Sequence, residues 1–179
     1  IGEFAYPAAS DGLYRGVLAG MSLTQESATA LNSVSRIGYR YRKNPAGSTY
    51  WMRYAEVEFI KAEAYLRADL LNDGVKARTA YEAGITASCT EHGVSLDAIG
   101  TYLGNTNVAW NGAGTWGYTN LQKIYYQKWV SLFKQGLEAW AETRRTDIPL
   151  MGIAPGATPA TLLSAHNRPP FRWPYPQSE

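Results

Sequence analysis

The sequence predicts a mainly α-helical protein, built from tetratricopeptide-like helical hairpins with long irregular loops. Three segments carry apolar residues at the spacing of an amphipathic helix, and a short turn separates the first two. The stretches around them are rich in Gly, Ser, Asn and Pro, which favour turns and loops. A length of 179 residues suits one domain, so we predict a single domain over residues 1–179. Because the chain opens without Met, we expect an incomplete fragment of a longer protein.

The composition argues against several classes of partner. The 17 basic and 15 acidic residues give a net charge of +2, which favours neither nucleic acid nor an anionic membrane surface. No apolar run reaches membrane-spanning length, and the single Cys89 excludes an internal disulfide. Aromatic residues make up 13% of the chain, mostly Tyr and Trp, and such amphipathic rings suit both half-exposed ligand platforms and wet interfaces.

Residues 1–50 are predicted to be largely irregular. One short helix is expected at Leu23–Leu31, with Ser22 as its N-cap. Over 36–42, Arg alternates with apolar or aromatic residues, as in an edge strand or extended loop, and 43–48 is typical of a turn. Basic and aromatic side chains also interleave in nucleic-acid-binding surfaces. Because the segment is short and the rest of the chain is neutral, a strand edge protected by charge is the favoured interpretation.

The helical hairpin is predicted from two segments with an apolar stripe, Tyr54–Ala68 and Val75–Ser88, which the turn 69–74 joins as an antiparallel pair. Small residues on both helices allow their axes to approach closely. The third helix, Leu121–Thr143, has the most continuous stripe, and Trp129 and Trp140 on it are predicted core residues. Its side chains predicted to face water are Lys123, Gln127, Lys134, Glu138 and Glu142. Pro149 then ends helical structure, and an extended tail is expected to cross the helices.

The character of the sequence changes from Glu91 to Asn120, and a long loop rich in Gly, Asn and aromatic residues is predicted at Asn105–Asn120. Ordered loops of this length are usually functional. Sugars stack their C–H faces on Trp and Tyr, and their hydroxyls pair with polar side chains such as Asn. A second aromatic pair precedes the first strong helix. The candidate ligand-binding residues are Trp110, Trp116, Tyr118, Asn107, Asn111, Tyr50 and Trp51. Alternatively, these rings fix the loop to the helices or pack against a partner protein.

Three stretches together resemble the SusD/RagB family of outer-surface nutrient-binding lipoproteins. They are Arg53–Val57 with Ala62–Tyr65, then Tyr81–Ser88, and Ile124–Trp140 continuing into Arg144–Pro149. Their order and spacing over residues 48–179 match the family, and the block from Gln127 to Thr146 is the most specific part. The family's binding residues vary so much that none is carried over to this chain.

The resemblance implies a SusD-like fold, of which this chain is the C-terminal portion. It also implies a lipid-anchored protein of the outer membrane, exposed at the cell surface, whose anchoring region is absent from this chain. Such proteins pass oligosaccharides, or sometimes peptides, to a SusC-like TonB-dependent transporter. No cofactor is implied.

Catalysis is not expected. The two histidines and Cys89 lie in unrelated contexts, and neither a metal-ligand spacing nor a phosphate-binding loop is present. Glu56 and Glu63 share a helical face about 10 Å apart along the axis, which is long even for an inverting glycosidase pair. We predict them to be surface or interhelical hydrogen-bonding acids. The favoured function is non-catalytic binding of oligosaccharide nutrients. The alternatives are a helical-repeat protein-interaction or peptide-binding module and, less favoured, a glycoside hydrolase.

Overall fold

The computed structural model of the chain describes residues 5–8, 10–16 and 31–150. All but the last residue of the helix predicted at Leu23–Leu31 lies outside these ranges, and so does the tail after residue 150. The chain divides into two compact units, one formed by Ile1–Gly47 with Met151–Glu179 and the other by Ser48–Leu150. This division does not decide the prediction of one domain over residues 1–179, which stays a prediction.

In the first unit, two short strands pair antiparallel, β1 (Ala5–Tyr6) and β2 (Arg36–Ile37), with Ala5 opposite Ile37. A 3₁₀ turn at Leu31–Ser33 precedes β2, and the helix α1 (Tyr39–Arg42) follows it. The predicted extended segment 36–42 is therefore a strand only at its first two residues. The prediction is wrong for the remainder, because the amides of residues 41 and 42 donate to the Gly38 carbonyl and begin a helical turn there.

The second unit contains the predicted hairpin as α2 (Tyr54–Leu66) and α3 (Gly74–Glu91), which pack extensively against each other. Asp73 caps α3, since its Oδ1 accepts from the Lys76 amide at 3.0 Å. Close approach of the helices is required at Gly84, where a Cβ would lie 2.9 Å from the Phe59 ring. The buried core that holds the hairpin together consists of Ala55, Phe59, Ala62, Ala80, Tyr81, Ile85, Val108 and Ile124.

A short helix, α4 (Leu96–Leu103), precedes the predicted loop, in a stretch for which the sequence analysis predicts no element. Ser95 caps it through the Ala98 amide, and Ile99 is its one fully buried residue. Ser95 as N-cap, followed by Leu96, Ile99 and Leu103 at helical spacing, was a usable sequence signal for this helix. The loop after α4, residues 104–119, is called here the aromatic loop.

The third predicted helix is two helices, α5 (Asn120–Ser131) and α6 (Gly136–Thr146). A capping box of Thr119 and Gln122 begins α5. Between the helices, Lys134 takes a left-handed backbone conformation with φ of 75°, which interrupts the helical hydrogen bonds. Within the described residues, no helix has the length and apolarity needed to cross a bilayer.

The break changes which side chains of this region are buried. Leu137 is 83% exposed and Trp140 is 39% exposed, so the prediction that Trp140 is a core residue is wrong. Trp129 is only half-buried. The prediction that Lys123, Gln127 and Glu142 face water is also wrong, because all three are buried with polar partners.

Two groups of polar contacts fix α5 and α6 to the hairpin. The buried Arg53 donates to the carbonyls of Ser131 and Phe133, both at 3.1 Å, and so satisfies carbonyl groups at the end of α5. Arg145 donates to both carboxylate oxygens of Glu63, at 2.7 and 2.8 Å, and to Glu142. The prediction that Glu63 is an interhelical hydrogen-bonding acid is therefore confirmed.

Candidate functional site

Four rings meet where the aromatic loop crosses α5, and we call them the aromatic cluster: Trp116, Tyr118, Tyr126 and Trp129. The ring centroids of Trp116 and Tyr126 are 4.8 Å apart, and those of Tyr118 and Tyr126 are 5.8 Å apart. Trp129 continues the row at 6.0 Å from Tyr126. Neighbouring rings are tilted by 39 to 57°, so the cluster presents ring surfaces in several directions. Trp116 is 44% exposed, and the other three rings are half-buried.

Helix spacing explains half of this cluster. Tyr126 and Trp129 are three residues apart on α5 and therefore share one helical face. Sequence analysis missed Tyr126 as a site residue, although its position one turn before Trp129 was a usable signal. Burial raises the pKa of the Tyr126 hydroxyl, because the phenolate would lose its hydration there.

Asn107 holds the loop that carries Trp116. Its Oδ1 accepts from the Trp116 amide at 3.0 Å and from the Thr115 hydroxyl at 3.4 Å. Gly114 permits this arrangement, since a Cβ at that position would lie 2.2 Å from the same Oδ1. This oxygen of the predicted ligand-binding Asn107 is therefore already engaged within the protein.

Asn111 is tied to the start of α5 in a similar way. Its backbone is left-handed, with φ of 59°. Its amide donates to Oδ1 of Asn120 at 3.0 Å, and its own Oδ1 accepts from Nδ2 of Asn120 at 2.6 Å. Next to this pair, Lys123 Nζ donates to the carbonyls of Ala109 at 2.8 Å and Gly112 at 2.6 Å. Desolvation lowers the pKa of the Lys123 ammonium.

Trp110 lies at the floor of the loop, outside the aromatic cluster. Its ring packs on Tyr81, with centroids 5.5 Å apart, and it is half-buried against the core. The Tyr81 hydroxyl donates to the Val108 carbonyl at 2.7 Å, which fixes the adjoining backbone. The structure thus brings together Trp116 and Tyr118 among the predicted rings, while the position of Trp110 is that of a scaffold residue.

The other predicted aromatic pair lies before α2. Trp51 is 98% exposed, whereas the Tyr50 ring packs against the Arg53 guanidinium, 4.5 Å from its centroid. Close by in sequence, a groove of about 620 Å³ runs between α2 and α3. It is lined by Tyr54, Ala55, Ala83, Thr86, Ala87, Thr90 and Glu91. Among the described residues, no group of three or more His, Cys, Asp and Glu could hold a metal ion.

Comparison with known proteins places this geometry in context. Residues 4–176 match the model of a SusD-like family described as starch-binding and associating with the outer membrane. The fold resembles the solved structure of BT1043, with a TM-score of 0.55, and a protein described as Bacteroidetes AC2a SusD-like, with a TM-score of 0.57. Both are 24% identical and cover 83% of this chain, which spans 34% and 29% of their respective lengths. None of the curated proteins compared with the chain matches it significantly.

Proposed function

Because the chain belongs to the SusD-like family of starch-binding proteins associated with the outer membrane, we propose that it binds oligosaccharide nutrients without transforming them. The observation that carries this proposal is the aromatic cluster. Trp116 is exposed beside three half-buried rings, so C–H faces of a sugar have rings on which to stack. The hydroxyls of Tyr118 and Tyr126 border the same rings and are suited to pair with sugar hydroxyls.

The proposed roles of the other predicted site residues follow from their contacts. Asn107 and Asn111 hold the loop through bonds already made inside the protein. Trp110 supports the loop from below through Tyr81. These three residues shape the site, while Trp116 and Tyr118 contact the ligand together with Tyr126 and Trp129.

Absence of catalysis is part of the proposal. Both Glu63 oxygens accept hydrogen bonds from Arg145, and the Tyr125 hydroxyl donates to one of them. Glu56 lies on α2 and is buried. Neither acid is presented to solvent as a glycosidase pair requires, because one carboxyl must protonate the leaving group while the other attacks or activates water.

We further propose a SusC-like TonB-dependent transporter as protein partner, with the complex lipid-anchored at the cell surface. The exposed Tyr50 and Trp51 pair and the apolar groove beside Tyr54 support a protein contact outside the aromatic cluster. The exposed aromatic pair and the groove also suit the alternative function, a helical-repeat protein-interaction or peptide-binding module. Loss of transporter association in Trp51→Ala, with saccharide binding intact, is expected in co-purification experiments. Loss of saccharide binding instead would contradict this assignment.

The binding proposal is tested by calorimetry with maltoheptaose, preceded by a glycan array to cover other saccharides. Trp116→Ala is expected to weaken binding about tenfold, because one stacked ring is worth ~1–2 kcal/mol. Trp140→Ala is the matched control, since Trp140 is 39% exposed and lies on α6 outside the cluster. Equal loss in both variants, or no saccharide bound by the unaltered chain on the array, would contradict the proposal.

A further inference from the structure

Lys123 is buried in an unusual way for a lysine. The residue is 3% exposed, and its Nζ donates to two backbone carbonyls, those of Ala109 and Gly112. Among the described residues, it takes part in no ion pair. Lysines are rarely buried without a carboxylate partner, because the ammonium loses its hydration. Because desolvation of the Lys123 ammonium costs free energy, we expect its hydrogen bonds to stabilise the structure around it.

The Lys123 ammonium stabilises a tight turn in the aromatic loop. The Gly112 amide donates to the Ala109 carbonyl at 2.9 Å and closes a tight turn. Asn111 within this turn is in the left-handed region. The two carbonyls converge on Nζ, so Lys123 serves the turn as an internal cation. A Cβ on Gly112 would lie 2.4 Å from the Thr106 carbonyl, so the turn is also packed closely on the chain before it.

The same helix that carries Lys123 receives the ring of Trp116. Lys123 and Tyr126 are one turn apart on α5, and the Trp116 ring lies 4.8 Å from that of Tyr126. Lys123 therefore fixes the loop backbone at Gly112, and Tyr126 fixes the ring of Trp116 four residues later. In addition, Asn107 Oδ1 accepts a hydrogen bond from the Trp116 amide. The short segment 112–116 is thus held at both ends by α5.

We propose that Lys123 is a positioning residue of the saccharide site, which orders the aromatic loop so that Trp116 is in place before ligand arrives. This inference rests on the proposed function for its ligand, but the ordering of the loop can be measured without one. A loop that is ordered in advance does not lose that conformational freedom on binding, so affinity depends on Lys123 although Lys123 touches no sugar.

The test compares Lys123→Met, which keeps the length and removes the ammonium, with Lys76→Met as control. Lys76 is exposed on α3 and pairs with Asp73, far from the aromatic loop in sequence. Hydrogen exchange of amides 108–117 is expected to accelerate about tenfold or more in Lys123→Met, because the two carbonyls lose a charged donor. In Lys123→Met, the near-ultraviolet circular dichroism of the aromatic cluster should weaken, while the far-ultraviolet helical signal stays unchanged.

Binding of maltoheptaose, or of the best saccharide from the array, completes the test. Lys123→Met is expected to lose about tenfold in affinity, and Lys76→Met to bind like the unaltered chain. If loop exchange is unchanged in Lys123→Met, the positioning role is overturned whatever the binding result. If the loop loosens but affinity for a bound saccharide is unchanged, the role in binding is overturned as well. If the loop loosens and no saccharide binds the unaltered chain, the proposed function fails while the ordering role stands.

A measurement on the unaltered chain covers the case in which Lys123→Met does not fold. The ¹⁵N–¹H signal of the Lys123 ammonium is expected to be visible near neutral pH, because burial and two hydrogen bonds protect its protons from exchange. Lysine signals of exposed residues such as Lys76 should be lost by exchange under the same conditions. Equal loss of the Lys123 signal would show that the ammonium does not hold the loop and would overturn the proposal.

Discussion

At the scale of single residues, two glycines of the second unit differ in whether a side chain would fit in their place. A Cβ on Gly114 would lie 2.2 Å from Asn107 Oδ1 and 2.6 Å from the Asn107 Cα, so the loop must shift to accept any side chain. Gly100 lies inside α4, and nothing comes within 4 Å of a Cβ built there. The first glycine is kept for space, while the second only adds backbone entropy to the unfolded chain.

Gly114→Ala is therefore expected to lower the free energy of unfolding by about 1–3 kcal/mol through overpacking. Gly100→Ala, its matched counterpart, should raise it by about 0.5–1 kcal/mol, because alanine favours a helix interior. Denaturant unfolding of both variants measures the two effects. A destabilised Gly100→Ala together with an unaffected Gly114→Ala would contradict the packing described for the aromatic loop.

At the scale of elements, Arg53 joins the start of α2 to the end of α5. Its guanidinium donates to the carbonyls of Ser131 and Phe133 from a buried position and lies 3.6 Å from a carboxylate oxygen of Glu91. One side chain thereby connects both helices of the hairpin to the distant helix α5. These contacts give Arg53 a structural role at the start of the hairpin.

Arg53→Met is expected to lower the free energy of unfolding by about 2–4 kcal/mol, because buried carbonyls lose charged donors. Arg78→Met is the control, since Arg78 forms an exposed ion pair with Glu82 one turn along α3. Such a pair contributes at most about 1 kcal/mol. Thermal or denaturant unfolding would contradict the assignment if the two variants lost equal stability.

At the scale of the whole molecule, we expect the buried and half-buried phenols to dominate the response of stability to alkaline pH. Burial raises the pKa of Tyr81, Tyr102, Tyr125 and Tyr126 above the ordinary value of 10.0. A raised folded-state pKa means that the protonated phenol is favoured by folding. Its stabilising contribution is complete below pH 10 and is lost as pH rises through the folded-state values. Lys123 acts in the opposite sense, because its pKa is lowered and deprotonation of the folded chain becomes favourable first.

The melting temperature is accordingly expected to fall as pH rises above about 10, with the phenols outweighing the single lysine. Tyr102→Phe removes one of these phenols and should make the fall shallower. Its hydrogen bonds with Gln127 are lost as well, so the comparison concerns the slope with pH and not the absolute melting temperature. A slope that is unchanged in Tyr102→Phe would contradict the role of this group.

The sequence allows the hairpin to be predicted because both helices carry their own apolar stripe, and the bounds of α2 and α3 differ from the prediction by three residues at most. The buried Lys123, Gln127 and Glu142 were not predictable in this way. Their partners, such as the Ala109 carbonyl and Tyr102, come from other elements, so no local pattern announces their burial. The break before α6 was hidden because apolar spacing continues across it, with Gly136 as the only local sign.

The candidate site was predicted in part for the same reason. A loop rich in Trp, Tyr and Asn can be recognised from composition, and two of its predicted rings do meet in the aromatic cluster. Which of its residues face outward depends on contacts that the loop makes with α5, and these decide the different positions of Trp110 and Trp116.

The central claim is that the aromatic cluster holds a saccharide and leaves it intact. Its most direct test follows the indole ¹⁵N–¹H resonances during titration with a saccharide selected on the array, followed by chromatography of the recovered sugar. We expect the Trp116 resonance to shift with saturation while those of Trp51 and Trp140 stay in place, and the sugar to return uncleaved. A saccharide that binds without moving the Trp116 resonance, or that is recovered as shorter products, would contradict the claim.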